Sequence, residues 1–266
     1  MAWIFYTIVR CCLYSLLRIS FQRAIRFRVD FLLNFLEGGS FWLINYVFFS
    51  AGNHLLSANA SSSSYNMTLV YYFQIFIGLF YGAFIDNITD LKYYVSRGDL
   101  DWMLLKPVDS QFYISFRFIS FGHIVSGLVA VPVLLRAVQQ AGGALSCTNL
   151  LIGGIYLLLS LCNAHSVLTI VTSLAIALTA SGNVSGVVMP MIDLAKYPRQ
   201  MYPRKAFALL TAIVPVIGTC NLGNAALMGK WDRGTLASST LIAVFLLFAT
   251  HFVFHKLCIY YKSSGS

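Results

Sequence analysis

Apolar residues run through this chain in blocks of bilayer length, broken by short polar segments. A hydrocarbon core about 30 Å deep takes roughly 20 helical residues, and residues 31–50, 69–88, 112–135 and 236–257 each supply an apolar run of about that length. Between residues 149 and 192 the chain is uncharged except for His165, and that stretch is too long for one crossing. Its apolar density peaks over residues 150–178. The piece that follows, TASGNVSGVVMPMIDLAKYP, is rich in small and polar residues and holds Pro190. Irregular backbone persists at membrane depth only beside protein or a water-filled cavity, which makes this piece a better pathway lining than the leucine-rich spans.

Residues 1–30 have a different pattern. Arg10, Arg18, Gln22 and Arg26 recur at multiples of four and form a polar stripe, while Leu13, Leu16, Leu17, Phe21 and Ile25 supply apolar surface. A basic amphipathic helix of this kind is expected to lie in the cytoplasmic interface; in the alternative reading its first eight residues dip into the bilayer. Within the first span, Glu37 is costly in lipid and should face protein, a water-filled path, or Arg23 and Arg26 near the headgroups. With Gly38, Gly39 and Asn45 beside it, and Pro190 farther along, it marks a candidate pathway or an interface with a second membrane chain.

The polar segment that organises the chain is KYYVSRGDLDWMLLKP, residues 92–107. Two crossings after a cytoplasmic amino terminus return Lys92, Arg97 and Lys106 to the cytoplasm, as the positive-inside rule requires. Asp99 and Asp101 flank Leu100 and suggest a helix start; Trp102, Leu104 and Leu105 are expected on one side, and Pro107 ends the helix. A short helix with an apolar face and a charged rim suits a groove on a soluble partner.

Composition fits this picture. The 266 residues are 58% hydrophobic and 10% charged, against about 45–50% and about 25% in soluble domains, so too little polar side chain exists to cover a water-exposed globule. The net charge of +9 sits at the flanks of apolar segments and not in a tract, which reads as headgroup contact and topology rather than nucleic-acid binding. Six cysteines without CxxC spacing or a companion cluster of histidines suggest neither disulfides nor a metal site. No GxxxxGK[ST] loop, HExxH or acidic–histidine cluster appears, so a transporter built this way would have to take its energy from another chain or an ion gradient. Few intramembrane ionisable groups argue against the gradient; a freestanding secondary transporter or channel is the alternative.

The stretch RGDLDWMLLKP resembles the cytoplasmic motif of ABC-2 type permeases, in the branch that carries Arg-Gly-x-Leu-Asp, then Leu-Leu, a basic residue and Pro. Tyr197-Pro198, Tyr202-Pro203, Val214-Pro215 and the region from Asn221 to Gly229 resemble the same branch, with Asn224 where a proline is usual. The resemblance implies a permease of an ATP-driven exporter in the inner (plasma) membrane, carrying a hydrophobic, lipid-like or drug-like substrate. It implies two ATPase subunits that bind ATP and Mg, and a second permease chain, either a paralogue or another copy. It assigns ATPase coupling to Lys92, Arg97, Asp99, Leu100, Asp101, Trp102, Leu104, Leu105, Lys106 and Pro107, and no cofactor or catalytic residue to this chain. It also implies a fifth crossing at about residues 181–195, then external re-entrant helices containing Tyr197, Pro198, Pro203, Pro215 and Asn221. Charge alone, through Lys196, Arg199, Arg204 and Lys205, would instead make residues 206–229 the fifth crossing. The expected fold is an all-α integral membrane protein. It has an interfacial amphipathic helix over 1–30 and six transmembrane helices over 31–258, with a coupling segment at 89–111, a re-entrant segment at 197–230 and a cytoplasmic tail at 259–266.

Overall fold

A computed structural model describes residues 2–55, 60–143, 145–177 and 184–260, with the side chains of 12–51, 67–143, 145–177 and 186–259. The described residues form helices and connecting turns, without a strand. The helices are α1 (Ala2–Arg26), α2 (Arg28–Leu55), α3 (Ala60–Phe80), α4 (Asp86–Thr89), α5 (Leu91–Arg97), α6 (Asp99–Leu104) and α7 (Ser110–Ser115). They continue as α8 (Phe121–Gln140), α9 (Cys147–Ala177), α10 (Val184–Asp193), α11 (Arg204–Ile213), α12 (Val216–Leu227) and α13 (Arg233–Tyr260).

Among the described residues, four stretches are long and apolar enough to cross a membrane: Met67–Arg97, Phe121–Gln140, Cys147–Ala177 and Arg233–Ile259. A fifth exists if α11 and α12, bent by 110° at Val214 and Pro215, count as one span. The expected first crossing lies in α2, which is long enough at 28 residues but is diluted by Asn34, Glu37, Ser40 and Asn45 and does not join the four. Of the expected fifth crossing, residues 181–183 lie outside the described residues, and α10 at ten residues spans about 15 Å, half the hydrocarbon depth. The expected tail, apart from its first two residues, also lies outside them.

The centre of the bundle is α3. Leu69, Val70, Phe73, Phe76 and Phe80 are almost completely buried, because neighbours cover this helix on every side. Where α3 meets α8, a Cβ on Gly78 would stand 2.6 Å from the Gly127 Cα; only glycine at both positions lets the backbones approach so closely. Tyr72 reaches across from α3 to donate to the Gly153 carbonyl of α9 at 2.8 Å.

Three boundaries differ from the sequence expectation. The first apolar run ends at residue 50 and the second begins at 69, yet helix continues to Leu55 and resumes at Ala60. The second span does not stop at residue 88. It passes through a widened π turn, Tyr81–Ile85, and continues to Arg97. The third span begins at Phe121, not at 112, because residues 116–120 break the helix and carry Arg117 outside the span. The break is latched by Asn87, whose Nδ2 donates to the carbonyls of Ser115 at 3.1 Å and Phe118 at 2.7 Å, while its Oδ1 accepts from the Phe118 N–H at 2.9 Å. These bonds satisfy backbone groups that would otherwise be stranded. No local sequence pattern announces them.

Candidate functional site

The charged segment folds against one end of the bundle. Gly98, at φ 76°, ends α5 in the left-handed conformation that glycine adopts without strain, and α6 begins at the next residue. Asp99 and Asp101 do not cap α6 with their side chains; they lie in its first turn, where negative charge suits the helix dipole. The 3.6-residue period then splits the segment into two faces. Leu100 and Met103 are buried with Leu91, Tyr94, Ile114, Phe254 and Leu257, while Leu104 is half-buried against the same cluster. On the other face Trp102 is 74% exposed and Leu105 77% exposed; Tyr93, on α5, is 58% exposed.

This corrects the apolar face expected from sequence. Leu104 turns inward, and Leu100 is buried as an anchor within the chain. Tyr93, which sequence reasoning did not single out, is a further exposed aromatic side chain in the segment. Arg97, Asp99, Lys106 and Pro107 are exposed around the patch, whereas Lys92 and Asp101 are half-buried. Lys106 places its ammonium 4.4 Å from the Tyr113 ring centroid, and Arg117 stacks over Tyr94 at 4.7 Å, so the aromatic floor of the segment holds its own cations.

A second feature lies between α2, α3 and α8. A cavity of about 220 Å³ is lined by Glu37, Gln74, Tyr81, His123 and Ser126 among apolar neighbours that include Phe41 and Ile77. Glu37 Oε2 stands 3.6 Å from His123 Nε2, and His123 Nδ1 is 3.0 Å from the Ser120 hydroxyl. That hydroxyl accepts from Asn34 Nδ2 at 3.1 Å. His123 is buried while the Glu37 side chain is 66% exposed at the mouth. The carboxylate thus meets His123 rather than Arg23 or Arg26; Arg23 lies over the Phe118 ring at 5.2 Å. Sequence spacing could not have paired Glu37 with His123, since only the α2–α8 crossing brings them together.

The other pathway candidates separate. Gly38 is packed within the chain, where a Cβ would collide with Ser126 and where its carbonyl accepts from Gln74 Nε2 at 3.1 Å. Gly39 faces open space, with nothing within 4 Å of a Cβ built there. Asn45 is buried and donates to the Phe41 carbonyl of its own helix at 2.8 Å. Pro190 is exposed on α10.

Asn221 makes three hydrogen bonds that help to tie down the proline-rich segment. Asn221 on α12 accepts from the Arg199 N–H at 2.9 Å, and its amide donates to the carbonyls of Tyr197 at 3.3 Å and Ile217 at 2.9 Å. Tyr197 packs on Phe49 and Pro198 is buried. Pro203 and Pro215 immediately precede α11 and α12, where a residue without an N–H costs no helical bond. The helix α12 then runs from the middle of α9, where Ser160 bonds Thr219 at 2.8 Å, to Gly229 near Asn149 at the end opposite the charged segment.

A helical bundle with several bilayer-length apolar helices and an amphipathic segment at one end is the architecture of a multi-pass membrane protein. The model of the ABC-2 family of transporter proteins matches residues 39–265, and the chain belongs to that family. It is therefore a membrane permease of an ABC transporter, a class that works with an ATPase partner. No curated protein and no solved structure matches the chain.

Proposed function

We propose that this chain is the transmembrane subunit of an ATP-driven exporter, and that residues 97–107 dock into a groove on a separate ATPase subunit. The observation that carries this reading is the two-faced α6: Leu100 and Met103 lock it to the bundle, while Trp102 and Leu105 remain in the open. A face of that kind, rimmed by Arg97, Asp99 and Lys106, supplies burial at its centre and orientation at its edge. Because α6 is fastened to α5, the end of the Met67–Arg97 stretch, and to α13, a movement of the partner is transmitted to two of the long apolar stretches. Two ATPase subunits, binding ATP and Mg, would drive two permease chains; the second is a paralogue or another copy. The chain itself is assigned no catalysis.

In this reading the termini and residues 97–120 face the cytoplasm, in keeping with Arg18, Arg23, Arg26 and Arg28 at one end and Lys256 at the other. The paired α11 and α12 are re-entrant from the external side, supported by their 110° bend and by the run of α12 toward the end opposite α6. The Glu37–His123 cavity, mostly apolar with a few polar groups, suits part of a hydrophobic or lipid-like cargo. One observation favours the alternative of a freestanding, gradient-driven transporter, namely that same carboxylate–histidine pair at a cavity.

Purification in mild detergent followed by native mass spectrometry, with transport measured in inside-out vesicles, tests the choice. ATPase chains that co-purify, and transport that needs ATP, are the expected result. A chain that purifies alone and moves cargo on a proton gradient without ATP overturns it.

A further inference from the structure

We propose that Asp109, His251 and His255 form a binding site for a divalent transition cation, zinc by the chemistry of the donors, which fastens α7 to the last turns of α13. The two histidines are four residues apart on α13, so the helical period sets both imidazoles on one face, with ring centroids 4.1 Å apart. Asp109 comes from a different part of the chain. Its Oδ1 is fixed as the N-cap of α7, accepting from the Phe112 N–H at 2.8 Å, and this leaves Oδ2 aimed at His255 Nε2, 3.2 Å away. Gln111, one residue into α7, places Oε1 3.3 Å from His251 Nδ1 and steadies that ring. One ligand atom from each of Asp109, His251 and His255 lies within 4.8 Å of the others.

The distances suit a tetrahedral ion. Bonds of about 2.0–2.1 Å put neighbouring ligands about 3.3 Å apart, so the Asp109–His255 pair already stands at the separation that zinc requires, and the exposed His251 ring need close by at most about 1.5 Å. Two imidazoles and one carboxylate, with a fourth position left to water or to Gln111, suit zinc or a similar borderline ion. Calcium and magnesium call for all-oxygen sets. The scaffold is rigid on both sides, because Ile114 of α7 packs into one buried cluster with Phe254 and Leu257 of α13. A bound ion would clamp the point where the polar segment re-enters the bundle onto the final span.

Spectroscopic titration of the full-length protein, purified in detergent with a histidine-free tag and stripped with a chelator, tests the site. Cobalt(II) is the probe; saturable uptake of one equivalent with the intense visible bands of a tetrahedral ion, displaced by zinc, is expected. His251→Ala and His255→Ala should abolish the bands. Asp109→Asn, which retains an oxygen to cap α7, should weaken affinity at least tenfold while the thermal midpoint of the metal-free protein stays close to wild type. Zinc should raise the midpoint of the wild type and not of the two histidine variants. The absence of saturable cobalt uptake at micromolar concentration, or bands that persist in both histidine variants, overturns the proposal and leaves an ordinary hydrogen bond between His255 and Asp109.

Discussion

Leu100 and Leu105 lie five residues apart in the same short segment, yet their truncation should do opposite things. Leu100 is fully buried against Leu91, Met103 and Phe254. Its replacement by alanine removes packed methyl groups and leaves a cavity, which costs about 2–5 kcal/mol of permease stability. Leu105 is 77% exposed, and its truncation should change the stability of the isolated permease by no more than about 0.5 kcal/mol. In the complex the order reverses. Burying a leucine side chain is worth roughly 1.5–3 kcal/mol, so a residue with three quarters of its surface available contributes about 1–2 kcal/mol, and Trp102 at the centre contributes about 2 kcal/mol or more. The Trp102→Ala/Leu105→Ala double variant should therefore bind the ATPase on the order of 100- to 1,000-fold more weakly, with an unchanged melting midpoint. Lys106→Ala, at the rim and already stacked on Tyr113, should lose less than tenfold. The assay is titration of detergent-solubilised permease with purified ATPase, with thermal unfolding measured on the same samples. Detergent matters because a patch that rests only on lipid loses its role there. Undiminished ATPase binding by the double variant refutes the docking assignment, and a large drop in its melting midpoint refutes the exposed placement of the two side chains.

Glu37→Gln should lower transport while leaving expression and the melting midpoint near wild type, because the carboxylate stands at the cavity mouth and not in the core; transport equal to wild type in vesicles would remove it from the path. Asn221→Ala strands the Arg199 N–H and should cost about 1–3 kcal/mol, read as a lower unfolding midpoint, whereas an unchanged midpoint would show that the staple is dispensable. Introducing valine at Gly78 forces α3 away from Gly127 and should abolish folded protein in detergent; a monodisperse, normally melting variant would contradict the close approach. In a cysteine-free background, Arg18→Cys and Lys106→Cys should resist a membrane-impermeant thiol reagent added to intact cells, and Gln140→Cys at the opposite end should react. Labelling of the first two from outside would invert the topology.

Membrane residence, helical class and the position of the polar handle were already determined by the one-dimensional pattern. Apolar run length is a property of consecutive residues, and the hydrocarbon core responds to it directly. The family resemblance carried by residues 97–107 was legible for the same reason, as a contiguous motif. What the sequence left open depends on contacts between distant residues. The count of crossings blurred because α2 is a long helix of middling apolarity, and because a bend at Val214 and Pro215 leaves the choice between one span and two half-spans to packing. The inward turn of Leu104 and the burial of Leu100 were decided by Phe254 and Leu257, some 150 residues away in sequence, which choose the face of α6 that is covered. The meeting of Glu37 with His123, the latch of Asn87 on Phe118 and the approach of Asp109 to His255 share that origin: each pairs residues far apart in the chain, and only helix crossings within a bundle bring such side chains within reach. The spacing of His251 and His255 was visible as an i, i+4 pair, but a third ligand from α7 exists only once α7 is folded onto the end of α13.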